Sequence, residues 1–250
     1  MDLTLIISGI AILMFLLGTP VLLVISGWVI GTSYFVVEFP LINVGVTSSE
    51  AVLIYVFLAV PLFVATGDLL TAGGISQKLV KFAQSTVPFL PGATAATTMV
   101  SCGLFSAVSG SNAATAATMG RLLGPELEKK GVDKGLSAAL VAAGGTVGVI
   151  IPPSVMFLIY GVTVDVSSVD LFVGGIIPGI LMVLVLVSTA VFLTRRKEPT
   201  QGLKALKFDQ IIKNAGNAWL GFIAIGIILF GIYWGYFSPT EAAGVVTLYC

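Results

Sequence analysis

The sequence has no histidine and only two cysteines, Cys102 and Cys250, among its 250 residues. Without imidazole it cannot build a Ser-His-Asp or Cys-His catalytic site, and two distant cysteines lack the spacing of a metal site. An intramembrane aspartyl protease would need a pair of membrane aspartates, for which Asp68 is a lone candidate. We therefore expect that the protein is not an enzyme.

Charged residues are also scarce. They make up 10% of the chain, whereas hydrophobic residues make up 57%. An ordinary soluble domain carries about 25% charged residues, so this chain cannot cover a water-facing surface. The 12 basic residues are balanced by 12 acidic ones, which leaves no basic excess for nucleic acid. The composition indicates an all-α integral membrane protein in the lipid bilayer.

Apolar stretches of membrane-spanning length recur from end to end. The first, 3–37, would be about 50 Å long as one helix, against a hydrocarbon core of about 30 Å. Gly18-Thr19-Pro20 lies at its middle, so we expect two short helices there, with one kinked helix as the alternative. A loop over 38–50 follows. The predicted membrane segments are 3–17, 21–36, 51–70, 94–120, 135–164, 171–194 and 215–237.

Two of these segments are interrupted. Within 94–120, Ser109-Gly110-Ser111-Asn112 is a turn with helix-capping residues, which predicts a re-entrant helical hairpin. Within 135–164, three glycines precede two consecutive prolines, which predicts a broken helix whose second half begins at Pro153-Ser154.

The lysines and arginines fall in three groups, at 78–81, 121–134 and 195–213. Basic residues of membrane proteins concentrate in cytoplasmic loops. If 94–120 enters and leaves by the same face, all three groups lie in the cytoplasm, so the charge pattern favours a hairpin. The first group belongs to 74–87, whose apolar residues recur on one face, as in an amphipathic interfacial helix.

The two interruptions predict a binding site. Non-helical backbone in a membrane is tolerated where it lines a polar cavity, and two breaks in one chain point to a transporter site. Helix ends near Ser109 and Gly148 present carbonyl oxygens, which together with the Ser106 and Ser109 hydroxyls suit a monovalent cation. The alternative is that these Gly-, Ala- and Ser-rich segments only allow close helix packing.

An anion would meet the opposite helix ends. The helix starts at Ser111-Asn112 and Pro153-Ser154 present N–H groups, so we assign Ser111, Asn112, Pro153 and Ser154 to substrate binding. No Lys or Arg lies inside a predicted membrane segment. An anionic substrate would therefore depend on these N–H groups, on side-chain amides and on a bound cation.

Several motifs occur together in a specific order. The hairpin reads Gly103-Leu104-Phe105-Ser106-Ala107-Val108-Ser109-Gly110-Ser111, followed by Ala113, Ala116 and Gly120. The break reads Gly148-Val149-Ile150-Ile151-Pro152-Pro153-Ser154, followed by Tyr160-Gly161. Further motifs are Pro61-Leu62-Phe63 with Gly67, Gly73-Gly74-Ile75, and Ser238-Pro239-Thr240-Glu241-Ala242-Ala243. The combination is highly specific, covers the whole chain, and resembles the large membrane subunit of tripartite ATP-independent periplasmic (TRAP) transporters.

The resemblance implies a multi-pass permease of the bacterial inner membrane, with an elevator-type fold of inverted repeats. Such a permease imports an organic acid with Na⁺ as the coupling ion. Its partners are a small membrane subunit and a periplasmic substrate-binding protein. By resemblance, the first sodium site would use Ser106, Ser109, Gly148, Ile151 and Pro153, partly through backbone oxygens. Asn112 replaces a small residue common in the family; it either contacts the substrate or caps the helix, and the cap is favoured.

The resemblance also implies a division of the chain. Residues 1–70 would be scaffold helices, 71–90 an interfacial arm helix, and 91–165 the transport domain with the hairpin and the broken helix. A membrane helix and a cytoplasmic linker would occupy 166–212, and a second, inverted repeat would start within 213–250. Because an inverted-repeat carrier forms its site between two such units, we expect about 180 further residues or a second chain.

The substrate stays open among sialic acids, C4-dicarboxylates and other carboxylates. Two other functions remain as alternatives: an ion channel, or a sodium-coupled anion carrier of another family that works without a binding protein.

Overall fold

The computed structural model describes residues 3–200, 202 and 206–250, and every regular element within these ranges is helical. Met1, Asp2, Gln201, Leu203, Lys204 and Ala205, which the predicted scaffold and linker include, lie outside the described residues. The α-helices are α1 Leu3–Leu16, α2 Val21–Phe35, α3 Leu41–Val52, α4 Ala59–Ala72, α5 Ile75–Thr86, α6 Ala93–Ser109, α7 Asn112–Lys129, α8 Lys134–Thr146, α9 Val155–Val164, α10 Ser168–Thr194, α11 Phe208–Asn217, α12 Trp219–Tyr233 and α13 Pro239–Tyr249.

Two helical stretches in the described ranges are long and apolar enough to cross a membrane, Tyr55–Ala72 and Ser168–Thr194. The pair α11 and α12 adds a third if it is counted as one span, although its axes differ by 68°. At 1.5 Å per residue, the 27 residues of α10 extend about 40 Å, which exceeds the hydrocarbon core of about 30 Å. The chain is therefore an integral membrane protein.

The chain divides into two compact units, with the boundary between Ile54 and Tyr55. In the first unit, α1 and α2 are separate helices that pack together, which confirms the prediction of two short helices over one kinked helix. The Trp28 indole N–H donates a hydrogen bond of 3.0 Å to the Ser8 hydroxyl between them. Most of their apolar side chains are exposed, as expected of surfaces that face lipid.

The prediction of a loop over 38–50 is wrong, because α3 occupies most of it. The sequence of α3 shows no helical periodicity, but both of its serines form hydrogen bonds to the backbone of their own helix. The Ser48 hydroxyl donates to the Val44 carbonyl at 2.6 Å, and the Ser49 hydroxyl donates to Gly45 at 2.9 Å. Such bonds satisfy the serine hydroxyls without leaving the helix.

In the second unit, a 3-10 turn at Tyr55–Leu58 leads into α4, so the predicted segment 51–70 starts later as an α-helix than expected. Pro61 falls in the first turn of α4, where a missing N–H costs no intrahelical bond. α5 is amphipathic as predicted: Ile75, Leu79 and Ala83 are buried, whereas Lys81 is exposed.

Helix α6 forms the centre of this unit and packs against α4, α5, α7, α8 and α10. Small residues allow these close approaches. A Cβ built on Gly103 would lie 3.0 Å from Val183 Cγ2, and one built on Gly144 would lie 2.5 Å from Cys102 Sγ. The Gly- and Ala-rich segments therefore pack closely, and this packing positions the hairpin against the broken helix.

The segment predicted as one span over 215–237 is bent. Ala218 ends α11 and precedes α12, and α11 is a short amphipathic helix that follows the basic linker. α11 packs against α5, where the Asn214 side-chain amide donates 3.2 Å to the Lys81 carbonyl. The bend thus falls where the chain changes from the amphipathic α11 to the apolar α12.

Candidate functional site

The turn predicted at Ser109-Gly110-Ser111-Asn112 joins α6 to α7 as a helical hairpin. Gly110 adopts a left-handed conformation with φ of 58°, and its N–H donates to the Ser106 carbonyl at 3.0 Å. Ser111 then caps α7, because its hydroxyl accepts the Ala114 N–H at 3.3 Å. The sequence thus predicted the turn correctly.

Asn112 is not the cap that we favoured. It is the first residue inside α7, and the capping position belongs to Ser111. Asn112 is exposed, and its Oδ1 lies close to Gly145 of α8: a Cβ built on Gly145 would be 2.7 Å from it. Its side chain is therefore free of the capping role and sits over α8.

Three buried hydroxyls meet inside the hairpin. The Thr115 hydroxyl lies 3.1 Å from Ser109 Oγ and 3.3 Å from Ser106 Oγ, and all three side chains are fully buried. A Cβ built on Gly67 of α4 would lie 3.0 Å from Ser109 Cβ, so α4 approaches this cluster closely. Sequence reasoning missed Thr115, although its place one helical turn after Ser111 predicts that it shares that face.

The broken helix is present where the Gly and Pro residues predict it. α8 ends at Thr146, a 3-10 turn covers Val147–Val149, and non-helical backbone with a cis peptide between Pro152 and Pro153 follows. α9 begins at Val155, two residues later than predicted, because Ser154 is its cap. The buried Ser154 hydroxyl donates to the Val149 carbonyl and accepts the Phe157 N–H.

The structure brings the two interruptions together. The Val155 N–H donates a hydrogen bond of 3.1 Å to the Gly110 carbonyl. A Cβ on Gly110 would run into the Pro153 carbonyl oxygen, and one on Gly148 would lie 3.0 Å from the Asn112 nitrogen. The tip of the hairpin therefore rests directly on the break of the second helix.

Several carbonyl oxygens at these two breaks have no hydrogen-bond donor within the described ranges. On the hairpin they are the last carbonyls of α6, and on the broken helix they precede α9. They belong to Ala107, Val108, Ser109, Gly148, Ile151 and Pro153. Among the predicted sodium ligands, Ser106 and Ser109 thus offer hydroxyls, and Ser109, Gly148, Ile151 and Pro153 offer unbonded carbonyls.

A cavity of about 400 Å³ opens where the hairpin tip meets the break. Ser111 and Asn112, which were predicted to bind substrate, line this cavity. Gly148, predicted as a sodium ligand, and Met156 line it as well. Pro153 and Ser154 are buried behind the lining. The Ser154 hydroxyl bonds within its own turn and caps α9, and its role in substrate binding stays a prediction.

The cavity lining carries no charged side chain in the part of the chain that the structure describes. Nor do three His, Cys, Asp or Glu side chains come together anywhere within it. An ion in this cavity would therefore meet neutral oxygens and backbone N–H groups. Such a set suits a weakly polarising monovalent cation better than a transition metal, which prefers imidazole or thiolate.

The hydroxyl cluster makes the Thr115→Val variant informative. Valine keeps the shape but removes the partner of two buried serine hydroxyls, and each hydroxyl left unpaired costs about 1–3 kcal/mol. We expect a lower midpoint of thermal unfolding of the purified transporter. Thr163→Val is the matched control, because the exposed Thr163 hydroxyl bonds only to Ile159 in its own helix. Equal effects of the two variants would contradict a structural role for the cluster.

The chain is similar to known transporter subunits. Residues 8–250 match the family model described as tripartite ATP-independent periplasmic transporter, DctM component. A C4-dicarboxylate TRAP transporter large permease protein of Vibrio cholerae is 35% identical over 78% of this chain and 43% of its own length. An isethionate TRAP transporter permease protein of Oleidesulfovibrio alaskensis is 39% identical over 77% of the chain and 30% of its length.

A sialic acid TRAP transporter large permease protein of Vibrio cholerae is 35% identical over 78% of the chain and 45% of its length. The chain thus spans less than half the length of these relatives. They are transporter permeases and not enzymes, in agreement with the prediction from the missing histidine. The family match covers nearly the whole chain, and the chain therefore belongs to the large membrane subunits of TRAP transporters, the DctM component.

Proposed function

We propose that the chain forms part of a sodium-coupled permease that imports an organic acid across the bacterial inner membrane. A periplasmic binding protein would deliver the acid, and a small membrane subunit would complete the permease. The observation that carries this proposal is the contact between the hairpin tip and the helix break around one cavity. Relatives named for C4-dicarboxylate, isethionate and sialic acid transport favour an anionic substrate.

The cation would be held by the oxygens of Ser106, Ser109, Gly148, Ile151 and Pro153. Hydroxyl and carbonyl oxygens without donors are the ligands that a hard monovalent cation takes, and no carboxylate is needed to bind it. The unbonded carbonyls of Ser109, at the end of α6, and of Gly148, after the end of α8, support this assignment, because the C-terminal end of a helix is its negative pole.

The anion would bind at the start of α7. The N–H groups of Asn112 and Ala113 have no acceptor within the described ranges, and both residues line the cavity. The start of α9 is less available, because the Val155 N–H is already bonded to Gly110 and the Phe157 N–H to Ser154. The Asn112 amide adds a donor beside the cavity.

The transport step that fits this arrangement is an elevator movement. The cavity lining comes entirely from the hairpin turn and the broken helix. Elements that form one packed body can carry a bound ion and substrate together without dismantling the site. We assign the transport role to 91–165 and a scaffold role to 1–70 on this basis and on the family membership.

The proposal is tested with the complete transporter in proteoliposomes, to which its binding protein is added from outside. Radiolabelled succinate, isethionate and a sialic acid are tested one at a time as the external substrate. We expect uptake of one acid when sodium is higher outside, and none with choline in its place. Uptake without the binding protein would favour a carrier of another kind. Flux in both directions that ignores the sodium gradient would favour a channel.

Ser109→Ala tests the cation site within this assay. Because alanine removes one hydroxyl ligand and leaves the backbone carbonyl, we expect the half-saturating sodium concentration to rise about tenfold, the effect of one lost ion–dipole contact. Insertion into the membrane should not change. Ser48→Ala is the control, since that hydroxyl bonds only to its own helix. An unchanged sodium dependence would remove Ser109 from the site.

A further inference from the structure

We propose that Glu198 is a positioning residue of the transport site: its carboxylate closes the base of the hairpin and ties α6 and α7 to the end of α10. This inference rests on the proposed sodium-coupled function. Glu198 lies in the turn after α10, about 90 residues along the chain from the hairpin tip, and none of the sequence motifs includes it.

At the start of α6, Glu198 supplies a cap that the helix itself lacks. The capping position is Gly92, which has no side chain, and the first turn of α6 carries no acidic residue. The Glu198 carboxylate accepts the Thr94 N–H at 2.9 Å and the Thr94 hydroxyl at 3.2 Å. A carboxylate is favourable here because the N-terminal end of a helix is its positive pole.

At the end of α7, the same carboxylate meets a lysine. Lys130 Nζ lies 3.4 Å from Glu198 Oε1, in the one ion pair within the described ranges. The Glu198 side chain is only 12% exposed, whereas that of Lys130 is 50% exposed. One side chain therefore joins both ends of the hairpin.

The backbone around Glu198 completes the attachment to α10. The Gly92 N–H donates to the Glu198 carbonyl at 2.7 Å, and the Glu198 N–H donates to the Thr194 carbonyl at 3.2 Å. Two residues further along the chain, the Thr200 hydroxyl donates to the Phe89 carbonyl at 2.6 Å. The turn after α10 is thus also bonded to the segment that precedes α6.

α10 also holds the broken helix. A Cβ on Gly175 would lie 2.6 Å from the Ile150 carbonyl, and one on Gly179 would lie 2.8 Å from Ile151 Cγ1. Helix α10 therefore contacts the break along its length and the hairpin base at its end. By fixing the hairpin base to α10, Glu198 sets the register of the two halves of the proposed sodium site, about 20 Å away along α6.

The experiment uses the complete purified transporter with Glu198→Gln and Glu198→Ala. Glu128→Gln is the matched control, because it removes an exposed carboxylate at the end of α7. Lys130→Met and Lys129→Met form a second pair, of which only Lys130 contacts Glu198. Two quantities are measured: hydrogen exchange of the first turn of α6, and the sodium chloride concentration that gives half of the maximal thermal stabilisation, against choline chloride.

We expect Glu198→Ala to speed exchange at Thr94 and to raise the half-saturating sodium concentration about fivefold, as remote positioning residues do. Glu198→Gln, which keeps an acceptor for Thr94 but loses the charge, should fall between. Lys130→Met should act more weakly in the same direction, and both control variants should match the unchanged protein. If the alanine variant does not fold, the glutamine variant carries the same comparison.

Faster exchange with an unchanged sodium midpoint would overturn the positioning role, since a purely structural cap would give that result. Unchanged hydrogen exchange at Thr94 would show that Glu198 does not hold the start of α6. If the unchanged protein shows no stabilisation by sodium, the proposed sodium site fails and the positioning role fails with it. The exchange result then still decides whether Glu198 holds the base of the hairpin.

Discussion

Gly110→Ala is expected to reduce sodium-driven uptake by about 100-fold, because misplacing a site by about 1 Å has effects of that size. A Cβ at this position would run into the Pro153 carbonyl oxygen, and the backbone φ of 58° already disfavours any other residue. The hairpin tip would have to move away from the break. That movement would stretch the bond from the Val155 N–H to Gly110 and separate the proposed cation ligands.

Two controls separate this contact from the cost of the backbone conformation. Gly131 has a φ of 80° and no atom near its missing Cβ, so Gly131→Ala carries the backbone strain without the collision. Gly124, in α7 of the same hairpin, also has open space around its missing Cβ but no positive φ. Gly124→Ala therefore adds a methyl group to the hairpin without strain or collision. Uptake is measured per inserted transporter. Equal loss in Gly110→Ala and Gly131→Ala would show that strain, and not contact with Pro153, is responsible.

The features that the sequence predicted correctly are local ones. The hairpin turn and the helix break are encoded by glycine, proline and capping serines within a few neighbouring residues. The exact ends of these helices depend on which of several neighbouring residues takes the capping position. Ser111 and Asn112 are both able to cap a helix, and the left-handed Gly110 decides in favour of Ser111. Likewise, Ser154 takes the capping position of α9, so the helix starts at Val155 and not at Pro153 as predicted.

The features that the sequence did not reveal depend on contacts between distant segments. Gly67 meets Ser109 only because α4 packs on the hairpin, and Glu198 reaches Thr94 across 104 positions of the chain. Helix α3 is not predicted because Gly45, Ser48 and Ser49 are weak helix formers. The bonds from the two serine hydroxyls to the backbone of α3 form only once the helix exists. No periodic pattern records such contacts.

Cysteines placed singly at Lys81 and Lys129 are expected to react with a membrane-impermeant thiol reagent from the same, cytoplasmic face. Both residues are exposed, and they lie on either side of the hairpin. If α6 and α7 enter and leave the membrane together, the segments before and after them share one face, as the clustering of basic residues suggests. Labelling in right-side-out and inside-out vesicles gives an all-or-none result for each site.

Native Cys102 and Cys250 are first replaced by serine, so that only the introduced thiol reacts. A cysteine at Asp165, in the turn between α9 and α10, is the control for the opposite face, because its loop carries no basic residue. Labelling of Lys81→Cys and Lys129→Cys from opposite faces would mean that the hairpin crosses the membrane. In a single crossing, α6 and α7 would follow one another across the bilayer and could not pack side by side as they do here. The hydroxyl cluster of Ser106, Ser109 and Thr115 depends on that packing, so it would be lost together with the proposed cation site.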